Sequence, residues 1–434
     1  MSDSIRTPLM FTLVFALLII TGFTMSWNVA LGIFNMGLIS AIMALGVNMQ
    51  WGYAGLFNVG TMGFVALGGL GAILIAMPPV QEAWSAGGGR AMLGLLIGAG
   101  VIIGAVVLTR ILPKGRSRFF FVAIWVIATY AIYRAVMLPA VDAIERVDPA
   151  STGYLGGLGL PILLGWPFGG LLAAGAAWVV GKTALGLRSD YLAIATLGIS
   201  EIIIAILKAE DWMSRGVKNV IGVPRPVPYE IDLQNNPSFQ EFAANWGADL
   251  ATASAITVKL AYAALFIGVI VILLVLSQLA LNSPWGRMMR AIRDNEVAAE
   301  AMGKDVKRRH LQVFVLGCAV CGLAGAMMTT LDGQLVPTTY VPLRFTFLIW
   351  VMVIVGGSGN NFGAILGGFL IWYLWVMVEP MGLWLIMTLT AGLPETSALK
   401  AHLIENAAQM RLLTMGIVLL LVLRFSPRGL IPER

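Results

Sequence analysis

Between Arg6 and Glu82 the chain runs for 75 residues without a single Asp, Glu, Lys, Arg or His. A helical crossing of the hydrocarbon core of a bilayer takes about 20 apolar residues. This stretch alone therefore holds three crossings, and a water-soluble fold is excluded. Composition agrees: 59% of the residues are hydrophobic and 12% charged, where a soluble domain carries about 25% charged residues. The apolar run after Arg6 has no small-x-small cleavage pattern before Trp27 and reads as a retained first helix. With two cysteines and two histidines, neither a disulfide scaffold nor a multi-histidine metal enzyme is available.

Uncharged or nearly uncharged runs fall at about 9–26, 28–48, 61–78, 91–109, 119–139, 161–180, 192–208, 257–281, 311–330, 345–357, 362–378 and 410–423. They predict an all-α polytopic membrane protein with about 10–12 transmembrane segments, some of them short or broken. The 34 uncharged residues 345–378 are too long for one span, and GGSGNNFG at 356–363 divides them into two short crossings. The apolar PMGLWLIMTL that follows is too short to cross again and is expected to lie at the interface. Residues 209–256, with PRPVP at 224–228, are expected to form a small external cap.

Charge placement tests the count. With twelve crossings and a cytoplasmic N-terminus, the inside segments are 1–8, 110–118, 181–190, 282–310 and 424–434. They hold 17 of the 28 Lys and Arg but 7 of the 22 acids, in keeping with the positive-inside rule. The net charge of +6 is thus an orientation signal, and no nucleic-acid partner is called for.

Several kinds of chemistry are missing. GKT at 181–183 lacks the glycine that a phosphate-binding loop needs at position 176, which is alanine, and it follows an apolar helix instead of a strand. Cys318 and Cys321 lie inside LGCAVCGLAG, where cysteine packs as a small hydrophobe. His310 and His402 fall on opposite sides and are expected to be solvated or interfacial. No metal or cofactor site emerges.

Other features point to transport. Glu201, in LGISEIIIAILK, is an ionisable group within a span. It is either a packing carboxylate held by neighbours such as Ser200 or wetted at the interface, or a group beside a transport path. NMQWGYAGLFNVG at 48–60 and GGSGNNFG mix glycine with Asn or Gln in uncharged sequence. Irregular backbone at that depth is tolerated where it lines a cavity or is buried in protein. Asn48, Gln50, Asn58, Asn360 and Asn361 are accordingly candidates for the path, with simple inter-helix turns as the other reading. Residues 282–305 read as one short cytoplasmic helix, with Ser283 as cap, Pro284 in the first turn and Gly303 at the end. Arg290 with Asp294, and Glu300 with Lys304, stand four apart and are expected to pair along its surface.

Four strings in this order, NMQWGYAGLFNVG, LRSDYLAIATLGISEI at 187–202, SPWGRMMRAIRDNEVAAEAMG at 283–303 and the ending RFSPRGLIPER, resemble the permease subunit of branched-chain amino-acid ABC importers. The resemblance implies a single permease domain over 1–434, with a coupling loop at 282–310 and an external loop at 209–256. It implies a multi-pass protein of the bacterial inner (cytoplasmic) membrane with both termini cytoplasmic. It also implies a homologous second permease, two cytoplasmic ATPase subunits and a periplasmic substrate-binding protein as partners, besides membrane lipid. Hydrolysis then belongs to other subunits, and the chain is not itself an enzyme. In ABC importers a loop with an E-A-A-x-x-x-G pattern seats in the ATPase. Here Ala298, Ala299 and Gly303 keep that spacing, while Glu296 stands one residue upstream because Val297 intervenes. Arg287, Arg290 and Arg293 are then candidates to pair with acids of the ATPase. The expected cargo is leucine, isoleucine or valine; related permeases carry urea, short amides or other carboxylates. An ion-coupled secondary transporter is a further alternative, for which Glu201 is the sole clear midmembrane acid.

Overall fold

Every one of the twelve apolar runs is a helix in the computed structural model, which describes residues 3–113, 115–392, 394 and 397–433. The helices are α1 (Asp3–Thr24), α2 (Trp27–Ala54), α3 (Thr61–Ala76), α4 (Gly89–Ile111), α5 (Arg116–Glu145), α6 (Ile162–Ala184), α7 (Ser189–Ala209) and α8 (Leu250–Asn282). After two short helices, α9 (Pro284–Asp294) and α10 (Glu296–Ala301), come α11 (Val306–Asp332), α12 (Pro342–Gly356), α13 (Asn361–Leu389) and α14 (Met410–Phe425). Among the described residues ten helices are long and apolar enough to cross a membrane, while α3 and α12 are apolar but shorter. The chain is an all-α, multi-pass membrane protein. Strand structure among the described residues is an antiparallel pair, Val220–Ile221 with Gln334–Leu335.

The centre is built on α2, α11 and α13, with α3 and α6 packed on α11. Lipid tails are as apolar as leucine, so helices in a membrane associate by close packing, which small residues permit. The α3–α11 crossing illustrates this. A Cβ on Gly68 would stand 1.7 Å from the Gly322 carbonyl oxygen, and one on Gly325 1.9 Å from that of Val65.

Three expectations are corrected. PMGLWLIMTL is not a separate segment: 380–389 continue α13, a single helix of 29 residues that contains Pro380. The helix runs on through the proline, with Gly382 and Ile386 buried beyond it, as proline in a membrane helix is tolerated where neighbouring groups re-satisfy the backbone. Residues 282–305 form two helices, not one. Asn295 leaves helical geometry (φ −156°, ψ 98°), ending α9 and capping α10 by accepting from the Ala298 N–H at 2.9 Å. Asparagine competes for backbone donors in this way, which makes it a better cap than helix interior. Finally, Arg290–Asp294 and Glu300–Lys304 do not pair: Arg290 donates to the Leu281 carbonyl at 3.4 Å, and Asp294 pairs with Arg293 at 3.3 Å.

Within 209–249 the chain forms the short helices Glu230–Gln234 and Pro237–Asn245, and residues 250–256 already belong to α8.

Candidate functional site

Three places gather the polar chemistry of this chain. The first is where the two Gly/Asn-rich breaks meet. Both stop a helix at the same end of the bundle, and their side chains bond to one another, with the buried Asn361 side-chain nitrogen left without a partner among the described residues. Asn48 donates to the Asn361 side-chain oxygen at 3.2 Å and accepts from the Gly359 N–H at 2.8 Å. Tyr53 also donates to Asn361. One turn along, Asn58 donates to Gln50 at 2.9 Å, and Gln50 donates to the Phe314 carbonyl at 3.3 Å and to the Cys318 sulfur at 3.2 Å. Asn48, Gln50, Asn58 and Asn361 are all buried. A buried polar group without a partner costs about 1–3 kcal/mol, so this knot fixes how α2, α11 and α13 meet. Asn360 instead caps α13 and donates to the Pro432 carbonyl at 3.0 Å. Asn360 and Asn361 border a cavity of about 420 Å³ with Arg290 and Glu433.

The second place is the rod formed by α9 and α10. Met289, Ile292 and Ala299 are buried against Ala54, Leu56 and Phe314. Arg293 turns inward, donating to the Gly52 carbonyl at the end of α2 and to Glu433 at 2.8 Å. This arginine is therefore occupied within the chain. Arg287 donates to the Asn282 carbonyl at 3.2 Å. Gly303 closes α10 at φ +77°, a left-handed conformation that favours glycine. On the outer side Val297 is 76% and Met302 79% exposed, with Glu296 and Ala298 open beside them. His310, expected to be solvated or interfacial, is buried, and it shares a small recess with Glu296 and Arg293. His402 is exposed.

The third place is a cavity of about 600 Å³ at the other end, among α2, α8, α11, α12 and α13. Its wall is apolar, with Met43, Met328, Ile349 and Trp372, and it carries one cation, Lys259, and one anion, Asp332. Lys259 donates to the Asn28 carbonyl at 2.8 Å, and Asn35 donates to the Lys259 carbonyl at 2.9 Å. The Asn35 side-chain oxygen is buried with no partner among the described residues. Asp332 has no hydrogen bond or ion pair among the described residues, and its nearest influence is on Tyr340. Burial pushes that phenol above its ordinary value, a hydrogen bond to Thr329 pulls it down, and the Asp332 charge raises it. An apolar chamber with separate positive and negative groups suits a small zwitterion with an aliphatic side chain. None of Asn48, Gln50, Asn58, Glu201, Asn360 and Asn361 lines it. The sequence did carry a signal for Lys259: it is the one charge in the run 251–281.

Glu201 lies midway along α7 on an exposed face with Ile194, Ile202 and Ile206, and has no partner among the described residues. Ser200 does not hold it. Ser200 points inward, where a Cβ on Gly63 would come within 2.8 Å of its hydroxyl oxygen.

Comparison with known proteins follows the same lines. Residues 29–423 match the family model for the permease component of branched-chain amino acid transport systems. The high-affinity branched-chain amino acid transport system permease protein LivM of Escherichia coli (strain K12) is 25% identical over 269 residues, 61% of this chain and 56% of that protein. A probable branched-chain amino acid transport permease protein LivM of Methanocaldococcus jannaschii is 26% identical over 272 residues, 61% of this chain and 67% of that one. The probable LivH permease of the same organism is 32% identical over 110 residues, 25% of this chain and 34% of that protein. The match to the E. coli relative thus spans little more than half of its length. No solved structure matches.

Proposed function

The chain belongs to the branched-chain amino acid transport system permease family, and from that premise we propose that it is the membrane subunit of an ATP-driven importer of leucine, isoleucine and valine in the bacterial inner membrane. The observation that carries this reading is the rod. Its inner side is fastened to the ends of α2 and α11 by Met289, Ile292, Ala299 and Arg293. Its tip offers Val297, Ala298 and Met302 to a partner. A short element fixed to the central helices transmits a push from a motor protein, and small or apolar tip residues let two surfaces approach closely. The one-residue offset of Glu296 leaves it beside Arg293 and His310 at the inner recess and puts Val297 at the tip.

A second permease fits the same reading. Glu201 and its isoleucine neighbours face out of this chain, and an unpaired carboxylate facing lipid is costly. A companion subunit packed on α7 removes that cost. The 600 Å³ cavity supplies the chemistry for the cargo: Asp332 for the ammonium group, Lys259 for the carboxylate side of the chamber, and methionines for the aliphatic chain.

Uptake of labelled leucine into right-side-out vesicles, with and without ATP on the rod side, tests the proposal. Accumulation is expected with ATP alone, and Ala298→Glu should abolish it while the protein still reaches the membrane. Concentrative uptake by the purified chain driven by a proton or sodium gradient would overturn it and favour a secondary transporter.

A further inference from the structure

Where α6 ends and α9 and α11 begin, a surface groove of about 570 Å³ opens among Trp178, Trp285, Arg308 and Arg309. No carboxylate lines it. Arg308 is exposed, and its guanidinium has no partner among the described residues. Arg309 is steadied by Gln312, to whose side-chain oxygen it donates at 3.0 Å while the Trp285 indole donates to the same oxygen at 3.4 Å. On the facing helix Lys182 stands 4.0 Å over the Trp178 ring.

The depth of these groups is fixed by the helices that carry them. Arg308 and Arg309 are in the first turn of α11, Lys182 is in the last turn of α6, and Trp285 is in the first turn of α9. All therefore sit where apolar helix gives way to polar chain. Tryptophan and basic side chains favour that boundary in a membrane. From the arginines the groove continues along α11 over Leu311, Val315 and Leu316, spaced as one helical face.

We propose that this groove is a binding site for an anionic phospholipid, with its phosphate on Arg308 and Arg309 near Lys182 and an acyl chain along Leu311, Val315 and Leu316. A headgroup with net negative charge meets two cations and no acid in the groove wall, the neighbouring Asp305 carboxylate being occupied in accepting from the Arg308 backbone N–H at 3.0 Å. The tail meets apolar side chains already at bilayer depth, so neither half of the lipid is left against the wrong surface. A basic pocket between membrane helices is the expected shape of such a site. The occupant is a lipid and not a free anion because the apolar half of the groove has no use for phosphate alone.

The test is native mass spectrometry of the full-length protein, with any subunits that co-purify, released from mixed phosphatidylglycerol and phosphatidylcholine. The wild type should retain phosphatidylglycerol, and R308Q/R309Q should lower that retention about tenfold or more, with phosphatidylcholine unchanged. R308K/R309K should keep most of it, and a matched thermal melt of each variant checks the fold. Millimolar inorganic phosphate should not displace the lipid. The proposal is overturned if R308Q/R309Q, folded, keeps its phosphatidylglycerol. It is also overturned if inorganic phosphate competes it away, or if the double variant loses ATPase subunits while lipid retention is untouched.

Discussion

Two parts of this molecule are equally apolar and packed in opposite ways. In α2 and α13, 72% of the residues in the most apolar stretch are buried, and in α11 61%; in the hairpin of α4 and α5 the figures are 11% and 6%. The hairpin packs mainly on itself and on the short turn before α4, with Phe119, Phe120, Phe121 and Ile124 exposed along one helix and Leu96, Ile102 and Ile103 along the other. The central helices bring glycine against backbone and carry the Asn48–Asn361 knot, the rod and the cavity. Hydrophobicity places a helix in the bilayer, and small residues and paired polar groups place it against another helix. The buried polar side chains collect where the second condition holds.

The same substitution in the two parts separates them most sharply. Gly68→Ala puts a methyl group 1.7 Å from a carbonyl oxygen of α11, where neither backbone can give way. A loss of about 3 kcal/mol or more is expected, read as loss of the folded band on detergent gel filtration; normal yield and melting would mean that the centre yields as the hairpin does. Next is Asn361→Leu, which strands donors of Asn48 and Tyr53. It should cost about 2–3 kcal/mol and lower the melting temperature, whereas Asn361→Asp should keep more of the stability because both donors retain an acceptor. Asp332→Asn should leave melting unchanged and raise the half-saturating leucine concentration about tenfold, which is about 1.4 kcal/mol; unchanged half-saturation would move the cargo out of this cavity. The smallest effect is expected at Gly100, where an added Cβ meets nothing within 4 Å. Gly100→Ala should stabilise the hairpin by no more than about 1 kcal/mol through helix propensity, and a marked loss would show that α4 is covered by another subunit.

Much of this contrast was hidden in the chain while the spans themselves were legible. All twelve runs became helices because about 20 apolar residues have one stable way to satisfy their backbone in lipid. The break at GGSGNNFG was equally legible, since glycine and asparagine favour turn geometry. The boundary at Pro380 misled because proline inside a helix is a breaker in water and a tolerated residue between packed membrane helices. At the rod, local spacing suggested a surface ion pair between Arg290 and Asp294, whereas the Leu281 carbonyl took Arg290; Arg293, which the resemblance offered to ATPase acids, is bound to the Gly52 carbonyl and Glu433. The path candidates Asn48, Gln50 and Asn58 were chosen as polar groups in apolar sequence; Gln50 and Asn58 bond to each other, and Asn48 bonds to Asn361 and Gly359.

Composition and charge order determined by themselves that the chain is a helical membrane protein with a capped amphiphilic element between its spans, because burial of backbone in hydrocarbon is a local requirement met residue by residue. Tertiary structure alone decided which helices are central, that Glu201 faces outward, that Arg293 is tied to Glu433, and that Lys259 and Asp332 share one chamber. Those outcomes depend on which surfaces approach within a few ångström, and that is set by contacts between residues far apart in the chain.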